Sequence, residues 1–112
     1  MNLHIDTTHH NGIFIKVSDS EKEYSLKKET TSWASQILLP AIEELLKAHC
    51  LTFKDISSVT VGTGPGSYTG IRVGIAVAQT IAWILDIPLN GKKNNTVSPV
   101  YGENDKFGEL NG

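Results

Sequence analysis

A glycine-rich stretch joins a β-like run to a helix-like run, and it constrains the fold more than any other part of the sequence. The stretch is Gly62 to Gly74; Ser58 to Val61 precedes it and Ile75 to Leu85 follows it. A glycine-rich turn between a strand and a helix brings bare backbone close either to a phosphate or to another helix. The chain therefore contains a strand–turn–helix unit whose turn is either a binding loop or a place of close packing.

The turn does not match the common phosphate-binding motifs. A Walker loop ends in Gly-Lys-Ser or Gly-Lys-Thr, and no lysine occurs between Asp55 and Gly91. The dinucleotide motif Gly-x-Gly-x-x-Gly fails as well, because Ser67 and Thr69 stand where its third glycine would be. An ordinary tight turn, with Thr69 capping the following helix, is the alternative to a binding loop.

The predicted helix after the turn, Thr69 to Leu85, carries Arg72 as its single charged residue. Small residues recur at every fourth position and form a ridge along one side. The ridge residues are Gly70, Gly74, Ala78 and Ala82. The remaining sides are apolar, and a helix that is apolar on nearly every side is buried on nearly every side. We therefore expect one face on the sheet and the other on a partner; a helix enclosed within its own domain is the alternative.

The rest of the chain adds strands and one further helix. Alternation of apolar and polar residues predicts strands at Asn2 to Asp6, Gly12 to Ser18 and Glu23 to Lys28. Apolar residues at helical spacing predict a helix over Ser32 to His49, which Pro40 should kink. After the glycine-rich unit, a short last strand is predicted to begin at Ile87 to Leu89.

Candidate catalytic chemistry is sparse. Asp6, at the end of the first predicted strand, could hold a magnesium-bound phosphate together with Thr7 and Thr8. Alternatively, its carboxylate closes an Asx-type turn. The four histidines show no metal-binding spacing. Ser67 has no assignable histidine partner, so the sequence does not indicate a peptidase triad.

Two kinds of side chain are candidates for contacts with a partner. Arg72 lies near the positive end of a helix dipole, so we expect an anion beside it: Asp6, a partner carboxylate or a nucleotide. Trp33 and Trp83, one on each predicted helix, are either core residues or interface anchors. The residues alone leave both alternatives open.

Composition excludes some functions. The formal net charge is −2, and no basic stripe of the kind that nucleic-acid backbones select is present, which disfavours direct binding of nucleic acid. Cys50 is the single cysteine, which excludes an internal disulfide and fits a reducing compartment. The apolar run after Thr69 is short for a bilayer, and Arg72 and Gln79 interrupt it. We therefore expect a cytoplasmic protein with no membrane contact.

The segment Gly64 to Gly74, Gly-Pro-Gly-Ser-Tyr-Thr-Gly-Ile-Arg-Val-Gly, resembles the signature of the TsaB family of tRNA threonylcarbamoyladenosine biosynthesis proteins. Ile5 to Thr8 is similar to the opening of that family, and Ile37 to Ile42 resembles its first long helix. The likeness runs from about Asn2 to Gly91. The residues matching the family's motif turn are Gly64, Pro65, Gly66, Ser67, Tyr68 and Thr69.

The resemblance implies an α/β fold of the ribonuclease H-like, actin-like type. Family members carry two such lobes, and this chain has room for a single lobe. We expect a mixed sheet of about five strands with two main helices. Residues 1–91 are predicted to form the N-terminal lobe and residues 92–112 a polar, flexible tail.

The resemblance also implies a non-catalytic scaffold that dimerises with TsaD, which attaches a threonylcarbamoyl group to adenosine in tRNA. TsaE is a further implied partner, tRNA is contacted indirectly, and the isolated chain is expected to form a homodimer. No cofactor of its own is expected; ATP or ADP at the partner interface stays open. The expected interface residues are Trp33, Ile37, Ala41, Gly70, Arg72, Val73, Gly74, Val77, Ala78 and Ile81.

An enzyme is the alternative function. A small nucleotide-binding hydrolase or a glycoprotease-like peptidase would use Asp6 and the turn from Gly64 to Gly70. Tight binding or turnover of ATP by the chain alone would support the enzyme. A chain that is inert but exchanges from a homodimer into a heterodimer with TsaD would support the scaffold.

Overall fold

One mixed sheet carries two helices on a single face. The computed structural model describes residues 1–8, 12–29, 34–65 and 68–93. Its strands are β1 (Asn2–Asp6), β2 (Gly12–Ser18), β3 (Glu23–Glu29) and β4 (Ser58–Val61), and its α-helices are α1 (Ala34–Ala48) and α2 (Tyr68–Leu85). The order in the sheet is β3-β2-β1-β4; β1 runs parallel to β4 and antiparallel to β2, and β2 runs antiparallel to β3.

Alternating side chains give the sheet one apolar face. The register places Leu3 between Val17 and Val59, and it places Ile5 between Ile15 and Val61. All six side chains are buried. Because successive residues of a strand point to opposite faces, the intervening residues form a second face that is mostly polar, with Phe14 as the exception. The apolar face is the floor of the core.

The helices bury one side each over this floor. Helix α1 contacts β2 and β3, α2 contacts β4 and β1, and the two helices contact each other. The buried residues of α1 are Leu38, Ala41, Ile42, Leu45 and Leu46. Those of α2 include Ile71, Ile75, Ala78, Ile81 and Ala82. Both sets follow the spacing of three and four residues that places side chains on one face of a helix. Among the described residues, no helix is both long and apolar enough to cross a bilayer.

The predicted elements are confirmed except at the end of the lobe. The first two strands and β4 have the predicted limits, β3 extends to Glu29, and α2 begins at Tyr68. The predicted first residues of α1, Ser32 and Trp33, lie outside the described residues, as does the predicted tail after Lys93. The boundary between lobe and tail stays a prediction.

The described residues form a sheet of four strands, one fewer than the approximate number predicted. Leu89 forms an isolated parallel bridge with Val59, and the chain then reverses, so that Leu89 pairs antiparallel with Lys92. Asn90 and Gly91 form the reversal with φ of 49° and 90°. Positive φ is a conformation that asparagine and glycine tolerate better than other residues, so this pair ends the strand after a single bridge.

Both helices end in the same hydrogen-bonded motif. At the end of α1, the Cys50 amide donates to the Lys47 carbonyl at 3.2 Å and the Leu51 amide to the Leu46 carbonyl at 2.8 Å. Cys50 itself has a φ of 57°. This is a Schellman motif with a non-glycine residue at the left-handed position, where glycine is preferred.

Replacing Cys50 with glycine should therefore stabilise the fold. We expect the free energy of unfolding to rise by about 0.5–1 kcal/mol, because glycine adopts positive φ without the clash of a Cβ atom. Urea unfolding followed by circular dichroism measures the change. Cys50→Ala is the control: it removes the thiol but keeps the Cβ atom, so an equal gain in that variant would contradict the explanation.

Candidate functional site

The Asp6–Thr8 turn is closed by its own hydrogen bonds. One carboxylate oxygen of Asp6, Oδ1, accepts hydrogen bonds from the Thr8 amide at 2.9 Å and from the Thr8 hydroxyl at 2.6 Å. This geometry is the Asx-type turn that the sequence offered as one alternative. The magnesium–phosphate alternative for Asp6, Thr7 and Thr8 stays a prediction, and Oδ1 already has two donors within the turn.

Thr7 connects this turn to the start of α2. Its side chain is buried, and its hydroxyl donates a hydrogen bond to the Gly70 carbonyl, 63 residues away in the sequence. A Cβ atom on Gly74 would overlap Thr7 Oγ1 and would lie 3.3 Å from Thr7 Cβ. Gly74 therefore leaves the space that the Thr7 side chain fills.

Gly62 allows a second close approach at the same place. Its amide donates to the Ile5 carbonyl at 2.9 Å, and a Cβ atom on it would lie 3.2 Å from Thr8 Cγ2 and 3.4 Å from Asp6 Oδ1. The two glycines thus permit tight packing between the end of β1 and the strand–turn–helix unit. Within the described part of the motif, these glycines are used for packing.

The remaining residues of the motif turn are described only in part. Gly64 has a φ of 113°, which glycine adopts without strain, and Pro65 follows it on the surface. Gly66 and Ser67 lie outside the described residues, and only the backbone of Tyr68 and Thr69 is described. Their assignment as the family's motif turn stays a prediction.

The small-residue ridge faces the interior of the chain. Gly70, Gly74 and Ala78 are buried under the chain's own elements. Ala41 and Ile81, also predicted at the interface, lie in the same core. The physical reason is that β1 and the Thr7 side chain take the space beside the ridge. Gly70, Gly74, Ala78 and Ala41 are therefore covered within the chain itself, and the assignment of these residues to an interface stays a prediction.

An apolar groove lies on the outer side of the two helices. The exposed fractions of its rim residues Ile84 and Leu39 are 70% and 43%, and Trp83, next to Ile84 in the sequence, is 78% exposed. The groove has a volume of about 360 Å³. Its lining residues are Leu39, Phe53, Val77, Thr80, Ile81, Ile84 and Leu85. We call this surface the apolar groove.

The groove offers no polar group to a ligand. The hydroxyl of Thr80, its one side chain with a hydrogen-bonding group, donates to the Ala76 carbonyl of the same helix at 2.8 Å. Such a surface favours an apolar partner over a charged or hydrogen-bonding ligand.

The predicted interface residues differ in how far they are exposed. Val77 lines the groove, Ile37 and Val73 are half-buried, and Arg72 is exposed. Trp33 lies outside the described residues. Sequence reasoning missed Leu39 and Ile84. The available signal was the spacing of Val73, Val77 and Ile84, which places them on a side of α2 away from the ridge.

The uncovered face of the sheet carries a row of hydrogen-bonded polar side chains. Ser58 Oγ donates to Asn2 Oδ1 at 2.8 Å, Asn2 Nδ2 donates to Thr60 Oγ1 at 3.2 Å, and Thr60 Oγ1 lies 2.8 Å from His4 Nδ1. Burial lowers the pKa of His4; the Asp6 charge opposes this shift and the Lys16 charge adds to it. A neutral imidazole can accept a hydrogen bond from the Thr60 hydroxyl at Nδ1, so the four side chains of this row can be hydrogen-bonded without carrying a charge.

The described residues contain no cluster suited to a metal ion. Within residues 1–8, 12–29, 34–65 and 68–93, no three His, Cys, Asp or Glu side chains lie close enough together to hold one.

Comparisons with known proteins agree with the motif. The family model for TsaD, tRNA N6-adenosine threonylcarbamoyltransferase, matches residues 28–92, which is more than half of the chain. The TsaB protein of Bacillus subtilis is 46% identical over 52 residues, which cover 46% of this chain and 23% of the relative. The TsaB protein of Escherichia coli is 37% identical over 57 residues, 51% of this chain and 25% of the relative.

A solved structure shares the fold. YeaZ from Pseudomonas aeruginosa superposes with a TM-score of 0.74 at 26% identity, over 87% of this chain and 43% of the YeaZ chain. The chain thus spans less than half the length of these relatives. The matched segment includes α1, β4, the glycine-rich turn and α2. The chain therefore belongs to the family of tRNA threonylcarbamoyladenosine biosynthesis proteins, and within it to the TsaB proteins.

Proposed function

We propose that this chain is a non-catalytic subunit that binds TsaD and supports the threonylcarbamoyladenosine modification of tRNA. The observation that carries the proposal is the apolar groove, whose exposed rim joins both helices of the lobe. Leaving Ile84 and Trp83 in water is unfavourable by roughly 25 cal/mol for each Å² of apolar surface, so a partner that covers them gains this energy. The names of the relatives indicate the process, which is tRNA threonylcarbamoyladenosine biosynthesis. The groove supports the proposal that this chain takes part by binding another protein.

The turn at the end of β1 supports a structural role for this chain. In actin-like enzymes that bind a nucleotide, the corresponding turn contacts phosphate. Here the Thr7 hydroxyl is engaged by the Gly70 carbonyl, and Asp6 Oδ1 is engaged by Thr8. A phosphate held by the Thr7 or Thr8 hydroxyl would compete with these bonds. The geometry therefore favours the scaffold over the small nucleotide-binding hydrolase or peptidase.

The proposal has a direct test. The chain and TsaD from the same organism should co-purify as a complex, and modified adenosine should form in tRNA with both proteins present. We expect the chain alone to neither hydrolyse ATP nor modify tRNA. ATP turnover by the chain alone, at a rate that Asp6→Asn abolishes, would contradict the proposal and support the enzyme.

Further partners belong to the same proposal. In isolation the apolar groove would be covered by a second copy, which gives a homodimer that TsaD replaces. TsaE, and ATP or ADP bound where the chain meets TsaD, would join only the assembled complex. Calorimetric titration of nucleotide into the chain, into TsaD and into their mixture separates these cases, since we expect the chain alone to release no heat of binding.

A further inference from the structure

Asn90 completes the hydrogen bonds along the outer edge of β4. At Val59, the amide donates to the Pro88 carbonyl at 2.9 Å and the carbonyl accepts from the Asn90 amide at 2.8 Å. At Val61, the amide donates to Asn90 Oδ1 at 2.9 Å and the carbonyl accepts from Asn90 Nδ2 at 3.3 Å. Asn90 therefore supplies three of the four partners along this edge, two of them from its side chain.

The Asn90 side chain takes the place of the residues that would continue a strand beyond Leu89. A parallel strand continuing beyond Leu89 would present a carbonyl and an amide to Val61. The chain instead reverses at Asn90 and Gly91, and the carboxamide of Asn90 presents an oxygen and an NH₂ group to the same two atoms. A carboxamide has one acceptor and one donor group, like a peptide, so it can stand in for the missing strand.

The other edge of the sheet is protected differently. Strand β3 carries charged residues at the outer edge, among them Glu23, Lys27 and Glu29, and charge opposes the addition of a strand. Strand β4 reads Ser-Val-Thr-Val and has no charge. A short uncharged strand with β-branched residues and free backbone groups invites pairing with another strand. The β4 edge therefore depends on Asn90.

We propose that the Asn90 side chain seals the β4 edge and prevents a second copy of this chain from adding a strand there. The seal is independent of the apolar groove, which lies on the helices. Its partner, if the seal is removed, is the β4 edge of another copy, because that edge would expose the same unpaired groups.

Hydrogen exchange tests the seal at one amide. Asn90→Gly removes the carboxamide and keeps a residue that tolerates positive φ, so we expect the Val61 amide to exchange at least about tenfold faster. The Ile15 amide, in the middle of the sheet, should keep its rate and serves as the internal reference. Asn90→Asp is the matched variant, because it keeps an oxygen acceptor for the Val61 amide and should preserve most of its protection.

Self-association tests the consequence. Light scattering over a concentration series should show Asn90→Gly forming larger species than the unchanged chain, in an Ile84→Glu background that removes association through the groove. These species should have the mass of a dimer, because each copy has one β4 edge and the β3 edge is charged. An unchanged Val61 exchange rate in Asn90→Gly would overturn the proposal, and so would faster exchange with no added association. Should Asn90→Gly fail to fold, loss of Val61 protection in a folded Asn90→Leu variant supports the proposal, and retained protection overturns it.

Discussion

Replacing Gly74 with alanine should lower the free energy of unfolding by about 3 kcal/mol, the upper end of what overpacking a core position costs. A Cβ atom at this position would overlap the hydroxyl oxygen of Thr7, which is itself buried and hydrogen-bonded to the Gly70 carbonyl. Neither α2 nor the end of β1 can move without disturbing the core between them. Urea unfolding followed by circular dichroism gives the change.

A double-mutant cycle identifies Thr7 as the cause. Thr7→Ala removes the overlapping oxygen and leaves Thr7 Cβ, which is 3.3 Å from the position of the new atom. Thr7→Ala alone should cost about 1 kcal/mol through the lost hydrogen bond to Gly70. The double variant should lose about 1–2 kcal/mol less stability than the sum of the losses in the two single variants.

The control for this cycle lies on the exposed side of the same helix. Thr80→Ala changes a surface hydroxyl that bonds only within α2, and it should shift stability by no more than about 0.5 kcal/mol. Strictly additive energies for Thr7→Ala and Gly74→Ala would show that Gly74 is required for some reason other than the space that Thr7 occupies.

The regular elements could be predicted because their signals are local. Ile13, Ile15 and Val17 alternate with polar residues, and this alternation alone determines which face of β2 is buried. The end of the lobe could not be predicted in the same way. Ile87 to Leu89 has the composition of a strand start, but the carboxamide of Asn90 takes the place of the following residues, and a side chain that imitates a peptide group leaves no periodic pattern.

The candidate site was harder to predict because the deciding contact is remote in sequence. A ridge of Gly70, Gly74 and Ala78 has the same spacing whether a partner or the chain's own strand packs beside it. In this structure the Thr7 side chain packs beside the ridge, and its hydroxyl bonds to Gly70 across 63 residues. The outer side of α2 was within reach of sequence reasoning, since Val77 and Ile84 are one heptad apart and so share a face.

Replacing Ile84 with glutamate should weaken binding to TsaD about 30-fold or more, and it should dissociate a homodimer of the isolated chain. Ile84 forms the rim of the apolar groove, and a carboxylate there would lose its water when a partner covers it. The groove has no cation among its side chains, and the Thr80 hydroxyl already donates to the Ala76 carbonyl. Because the side chain is 70% exposed, the folded monomer should keep its stability within about 0.5 kcal/mol. Sedimentation gives the dimer constant, and calorimetry gives the affinity for TsaD.

Two further variants make this result specific to the groove. Leu39→Glu introduces the same charge from α1 on the opposite rim and should have a similar effect, because both helices contribute to the surface. Ser25→Glu introduces it on β3, at an exposed position on the face of the sheet that the helices leave open, and should change neither affinity. Equal weakening by Ser25→Glu would attribute the effect to net charge, and unchanged affinity of Ile84→Glu for TsaD would move the partner to another surface of the lobe.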